Sequence, residues 1–158
     1  MSIMTLVWST GALNDVPRRW RALYRILFPI LDFSFVIFGI ASFIVGSKIV
    51  EDFIPGLRPA WAAVILAGAL VSLIAGIMMR KRTEFFANLT LAIGLVIYGI
   101  ATVAYIFRGN DSSILTLIFV EARLAATVWR MWDLTEDIGK EEADKEIIEA
   151  RTGETKTC

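Results

Sequence analysis

The chain has no histidine and one cysteine among its 158 residues, and that cysteine is the last residue, Cys158. A disulfide within one chain therefore cannot form, and zinc, haem and iron–sulfur sites lose their usual ligands. A Ser-His-Asp or Cys-His catalytic set cannot be assembled either. Since no glycine-rich phosphate loop or paired-carboxylate site stands out, we expect no enzyme, no metal and no cofactor.

Net charge is also lacking, because 16 basic residues balance 16 acidic ones. The two ends nevertheless differ: residues 1–25 contain four arginines and one acid, whereas residues 133–158 contain nine acids and four bases. No basic face exceeds a short cluster, so we expect no nucleic-acid partner. The acidic tail, 133–158, is either a solvated extension or a docking segment for another membrane protein.

Hydrophobic residues are abundant, at 56% of the chain with a mean hydropathy of +0.64. They form four blocks, at about 26–47, 60–79, 85–107 and 114–132. Each block is long enough to cross a bilayer as a helix, which takes about 20 residues. Short turns between the blocks make successive helices antiparallel. The sequence therefore predicts an all-α membrane protein with four transmembrane helices running up-down-up-down.

Basic residues give the predicted helices an orientation. Twelve bases fall on the side of the two termini and three on the other, so the positive-inside rule places both ends in the cytoplasm. The residues expected to orient the chain and to meet lipid head groups are Arg18, Arg19, Trp20, Arg21, Arg25, Arg80, Lys81 and Arg82. The first five indicate a basic amphipathic interfacial helix within 1–25, or a plain orienting cluster. Trp61 is expected at the opposite interface.

Small residues recur every fourth position on the second block, at Gly68, Ser72 and Gly76. Such a stripe lets helices approach closely in lipid. It predicts either packing within the chain or a face for self-association.

Three charges lie well inside the blocks, at Asp32, Glu121 and Arg123, whereas Arg130, near the end of the fourth block, is counted with the cytoplasmic bases. Charged side chains are costly in hydrocarbon and seldom face it. Counted from the cytoplasmic ends, Asp32 is roughly 9 Å deep and Arg123 roughly 13 Å deep at 1.5 Å per residue. An arginine side chain spans that difference, so we predict an Asp32–Arg123 ion pair. Glu121 is left without a partner in one chain, and could be protonated, bond a hydroxyl, line water or meet a second subunit.

The run from Pro17 to Arg25, PRRWRALYR, stands directly before the first block. It is similar to the basic aromatic lead-in of small four-span membrane proteins encoded by phages of actinobacteria, often near lysis genes. The resemblance covers roughly residues 17–140 and lies in layout more than in motifs. It implies a holin-like protein of the bacterial inner membrane, which self-associates and permeabilises that membrane during lysis. It transfers no catalytic residue, because holins have none.

Two other functions are compatible with the sequence. A small four-span transporter would use an acid in its first span, as Asp32 could be used. An accessory or immunity protein would act on a partner through the acidic tail. Membrane lipids and further copies of the chain are the partners that the sequence favours.

Overall fold

The structure is a computed structural model that describes Val7, Arg21 and residues 23–110 and 113–154, the last five of these by backbone alone. Five α-helices follow one another in this part of the chain: α1 (Phe28–Ile44), α2 (Lys48–Phe53), α3 (Arg58–Ile77), α4 (Lys81–Phe107) and α5 (Ile114–Glu154). One turn of π-helix, Leu23–Leu27, leads into α1. The described residues contain no strand, which agrees with the all-α prediction.

Helix boundaries follow from local chemistry. Pro29 and Pro59 stand in the first turns of α1 and α3, where a missing N–H costs nothing. The α3–α4 connection is only three residues long, and Met79 reverses it with a φ of 52°. Between the first two blocks we expected only a short turn, and the structure forms the short helix α2 there before the turn at Pro55-Gly56.

Within the described residues, three helical stretches are long and apolar enough to cross a membrane: Leu23–Ile44, Arg58–Ile77 and Lys81–Phe107. They coincide with three of the four predicted spans, and they give the described chain the character of a membrane protein. Helix α5 is longer still, but its apolar part contains Glu121, Arg123 and Arg130. Its place relative to a bilayer therefore depends on where those three side chains point.

The long helices pack in sequence order, α1 on α3, α3 on α4 and α4 on α5. Glycine allows the closest approaches: a Cβ built on Gly39 would lie 2.9 Å from the Leu66 backbone, and one on Gly68 would lie 3.1 Å from the Leu91 nitrogen. Between the helices lies a hydrophobic core around Trp61, Ile65 and neighbouring residues of α4. Helix α1 meets α5 through the side chains of Asp32 and Arg123, and the π-helical turn before α1 meets α5 through Tyr24 and Asp133.

The acidic tail continues the helix of the fourth block. Helix α5 runs from Ile114 to Glu154, and Gly139 lies within regular helix. The carboxyl-terminal half of α5 therefore extends beyond the bundle as a direct continuation of its last helix.

Candidate functional site

Asp32 and Arg123 form an ion pair between α1 and α5, inside the bundle. Arg123 donates to one carboxylate oxygen of Asp32, and the Ser72 hydroxyl donates to the other at 2.9 Å. The Arg123 guanidinium also lies over the Phe35 ring, 5.2 Å from its centroid. All three polar residues are buried, which matters because a charge taken out of water must be paired to be tolerated.

A second buried ionic cluster, which sequence reasoning missed, lies about two turns further along α5. Arg130 donates from Nε and Nη2 to the two oxygens of Glu84, at 2.6 and 2.9 Å. Its Nη1 reaches Asp133 at 3.1 Å, and the Tyr24 hydroxyl donates to the same carboxylate. The guanidinium also stacks on Tyr24 and Phe28, 4.6 and 5.4 Å from the ring centroids.

The spacing of residues along α5 explains why both clusters face inward. Arg123, Thr127, Arg130, Leu134 and Asp137 follow one another at alternating intervals of four and three. That interval keeps side chains on one face of a helix, and here the face is turned toward α1 and α4. Arg130 had been counted among the bases of the cytoplasmic side, because a charge near the end of a hydrophobic block carries no signal that it is buried.

The basic residues that we expected to orient the chain in the membrane lie in different surroundings. Lys81 and Arg82 belong to the first turn of α4 and not to the preceding connection, and both contact the acidic half of α5. Lys81 pairs with Asp137 at 3.2 Å and with Glu141 at 2.6 Å, and Arg82 pairs with Glu142. The basic turn therefore meets acids of its own chain. Arg80 is exposed, and Arg21 and Arg25 are half-buried. The predictions for Arg18, Arg19 and Trp20 fall outside the described residues.

The small-residue stripe of α3 is covered by the chain itself. Gly68 lies against Leu91 of α4, Ser72 bonds Asp32 of α1, and Gly76 lies beside Glu84. The sequence left open whether this stripe packs within the chain or forms a face for self-association, and these contacts favour packing within the chain.

Trp61, which we expected at the membrane interface opposite the termini, has its side chain turned into the bundle. The side chain is only 2% exposed and donates its indole N–H to the Gly94 carbonyl at 2.9 Å. It stacks on Tyr98, with centroids 4.8 Å apart, and Phe38 meets both rings edge-on. The Gly94 carbonyl, one helix away, gives the indole a buried acceptor that the interface rule does not foresee.

Glu121 points the other way from Arg123, to the outside of the bundle. Its surroundings on α5 are apolar: a shallow groove there is formed by Glu121, Leu124, Ala125, Val128, Trp129 and Trp132. Ile118 and Phe119, on the neighbouring turns, are 56% and 68% exposed. Within the described part of the chain, no side chain forms an ion pair or hydrogen bond with Glu121. It is a single acid on an outward-facing apolar surface.

A cavity of about 150 Å³ lies at the end of the bundle that holds the α3–α4 turn. Its charged lining consists of Asp32, Lys81, Glu84, Arg130 and Asp137, so it joins the two ionic clusters. Among the described residues no group of acidic or thiol side chains could hold a metal ion.

Comparisons with protein-family models, with curated proteins and with solved structures found no match for this chain. The features of the chain that bear on its function are the two ionic clusters, the cavity and Glu121.

Proposed function

We propose that α5 is a fourth membrane span over about 114–132, and that both termini lie on the cytoplasmic side. This proposal is supported by the inward orientation of the two arginines of α5, because Arg123 and Arg130 pair inside the bundle with Asp32 and Glu84. The outward-facing surface of α5 over 114–132 is then apolar except at Glu121. Seven residues separate Glu121 from the start of α5, or roughly 10 Å at 1.5 Å per residue, which places it near mid-span.

An acid facing hydrocarbon is unstable unless it is protonated or covered. A second copy of the chain is the simplest cover, because its α5 would bring an identical apolar groove and a second carboxyl group to the same depth. Two carboxyl groups that share one proton can hydrogen-bond across such an interface. Glu121 therefore supports self-association through the outer face of α5.

The function that fits these features is membrane permeabilisation of the holin type. Copies accumulate in the inner membrane of a bacterial host, associate through α5, and open a lesion that releases a wall-degrading enzyme. The outward Glu121 is the observation that carries this proposal. It supplies both a contact between copies and a polar group that can face water once the lesion has opened.

Induced expression in a bacterial host tests the proposal. Membrane potential and growth are followed after induction for the native chain, for Glu121→Leu and for the tail variant Glu146→Gln as a control at an exposed site. We expect an abrupt collapse of potential with the native chain and with Glu146→Gln, and a delayed or absent collapse with Glu121→Leu at equal membrane abundance. Continued growth with the native chain would rule out permeabilisation.

A small transporter is the second candidate, and the cavity beside Asp32 is the observation that favours it. Such a protein would leave growth intact, change drug resistance or solute uptake, and lose that effect in Asp32→Asn. The pairing of Asp32 with Arg123 weighs against it, because the carboxylate is already occupied. An accessory or immunity protein would instead co-purify with a membrane partner that is lost on deleting 133–158. The contacts of Lys81 and Arg82 with the tail leave less of its charge available for that role.

A further inference from the structure

The cavity at the α3–α4 end of the bundle is large enough to contain several waters. Its volume is about 150 Å³, and a cavity needs only about 10–15 Å³ measured in this way to hold one. Four of the long helices contribute to its wall, and Val7 approaches it from the amino-terminal segment, donating its N–H to the Ile77 carbonyl at 2.9 Å. Its wall combines apolar side chains with five charged ones, and a cavity with several polar partners can hold water, whereas purely apolar cavities stay empty.

Both cations of the wall are already engaged by carboxylates. Arg130 is bonded to both oxygens of Glu84 and stacked on two aromatic rings, so its guanidinium is fixed. Lys81 lies between Asp137 and Glu141. An incoming anion would have to displace one of these contacts.

Among the ion pairs that the described residues form around the cavity, carboxylates outnumber cations. The ion pairs connect five of them, Asp32, Glu84, Asp133, Asp137 and Glu141, to three cations, Lys81, Arg123 and Arg130. An excess of one sign between low-dielectric walls raises the local concentration of the opposite ion. The cavity therefore favours small cations.

The bundle is closed beyond Asp32. Phe35 and Phe38 follow on the next two turns of α1, and Phe38, Trp61 and Tyr98 pack into an aromatic layer across α1, α3 and α4. Ile65 and Leu91 are fully buried beside this layer. Water can therefore reach Asp32 from the α3–α4 end of the bundle, but the aromatic layer blocks its passage toward the opposite end.

We propose that this cavity is a hydrated vestibule that admits small cations from the α3–α4 end of the bundle as far as Asp32 and stops at the aromatic layer. It gives the buried Asp32–Arg123 pair one-sided contact with the aqueous phase. The proposal concerns the cavity alone and is independent of any association of copies through Glu121.

Cysteine accessibility tests it in the full chain, purified in detergent, with Cys158→Ser as background. Leu73→Cys and Ile77→Cys place thiols on the cavity wall, Ile65→Cys places one beside the aromatic layer, and Ile74→Cys places one on the outward face of α3. Each variant is treated with ethylammonium and ethylsulfonate thiosulfonates, with rates normalised to an exposed thiol at Thr135→Cys.

At the two wall positions we expect the cationic reagent to react about tenfold faster than the anionic one, which corresponds to about 1.4 kcal/mol. Adding Asp32→Asn should reduce that preference. Ile65→Cys should resist both charged reagents, and Ile74→Cys should react with N-ethylmaleimide alone. The proposal is overturned if neither wall thiol reacts with the charged reagents, if the anionic reagent is as fast, or if Ile65→Cys reacts as readily as the wall positions.

Discussion

Arg130 on α5 and Glu84 on α4 form a two-pronged ion pair, with Nε and Nη2 of the arginine 2.6 and 2.9 Å from the two carboxylate oxygens. The arginine and glutamate side chains are 12% and 6% exposed. The planar guanidinium also stacks on Tyr24, so one residue connects α4, α5 and the segment that leads into α1. A lysine cannot reproduce this, because its ammonium group is a point charge without a planar fork.

Arg130→Lys should therefore destabilise the bundle although it keeps the charge. We expect a loss of about 1–3 kcal/mol, the cost of leaving part of a buried charged group unsatisfied. Unfolding of the detergent-solubilised chain by dodecyl sulfate, followed by circular dichroism, measures it. Arg82→Lys is the matched control, because the Arg82–Glu142 pair is more than half exposed and should change stability by less than about 1 kcal/mol. Equal losses in the two variants would contradict the structural role given to Arg130.

Breaking the Asp32–Arg123 pair from one side should cost more than removing both partners. Asp32→Leu or Arg123→Leu alone leaves a buried charge without its partner, and such a change costs about 3–5 kcal/mol. The double variant removes the two charges together and should recover a large part of that loss. The same dodecyl sulfate titration gives the coupling free energy by a double-mutant cycle. Strictly additive losses would show that the two residues act separately.

The close packing of α1 on α3 at Gly39 can be tested by replacing single glycines with alanine. A Cβ there would lie 2.9 Å from the Leu66 backbone, so Gly39→Ala should push α1 and α3 apart and destabilise the fold by about 1–3 kcal/mol. Gly139 has nothing within 4 Å of its Cβ position and lies in α5. Gly139→Ala should accordingly stabilise the helix by roughly 0.5–1 kcal/mol. Thermal unfolding of both variants measures the contrast, and the same sign at both positions would contradict the packing described.

The contacts of Lys81 with Asp137 and Glu141 should hold the extended half of α5 only weakly. The side chains are 29%, 42% and 53% exposed, so solvent screens them and each pair contributes less than about 1 kcal/mol. Lys81→Ala should increase amide hydrogen exchange over 137–149 while exchange in α3 and α4 stays the same. Raising the salt concentration should have a similar effect on the native chain. Lys145→Ala, at an exposed site, should leave the exchange pattern unchanged.

Much of the fold follows from the sequence because span length and hydropathy are local properties. Three spans and the small-residue stripe lie where the pattern predicts them, and depth counting brought Asp32 and Arg123 together. Helix α2 was missed because its six residues contain two acids and precede a Pro-Gly turn, which the rules for chain breaks treat as irregular.

The second ionic cluster could not be derived in the same way. Glu84 and Arg130 are near the ends of their hydrophobic blocks, where a charge is ordinary and carries no signal that it is buried. Only the relative rotation of α4 and α5 turns them toward each other, and that rotation is decided by contacts distant in sequence. The burial of Trp61 was not foreseen for the same reason, since the carbonyl that accepts its N–H belongs to another helix.

Cross-linking between copies in the membrane tests most directly whether the outer face of α5 is an interface. In a Cys158→Ser background, Ala125→Cys places a thiol one turn from Glu121, and Ile93→Cys places one on the outward face of α4 as a control. Mild oxidation should give a disulfide-linked dimer with Ala125→Cys, little with Ile93→Cys, and less with Ala125→Cys once Glu121→Leu is added. Absence of the Ala125→Cys dimer, or equal dimer at Ile93→Cys, would contradict self-association through α5.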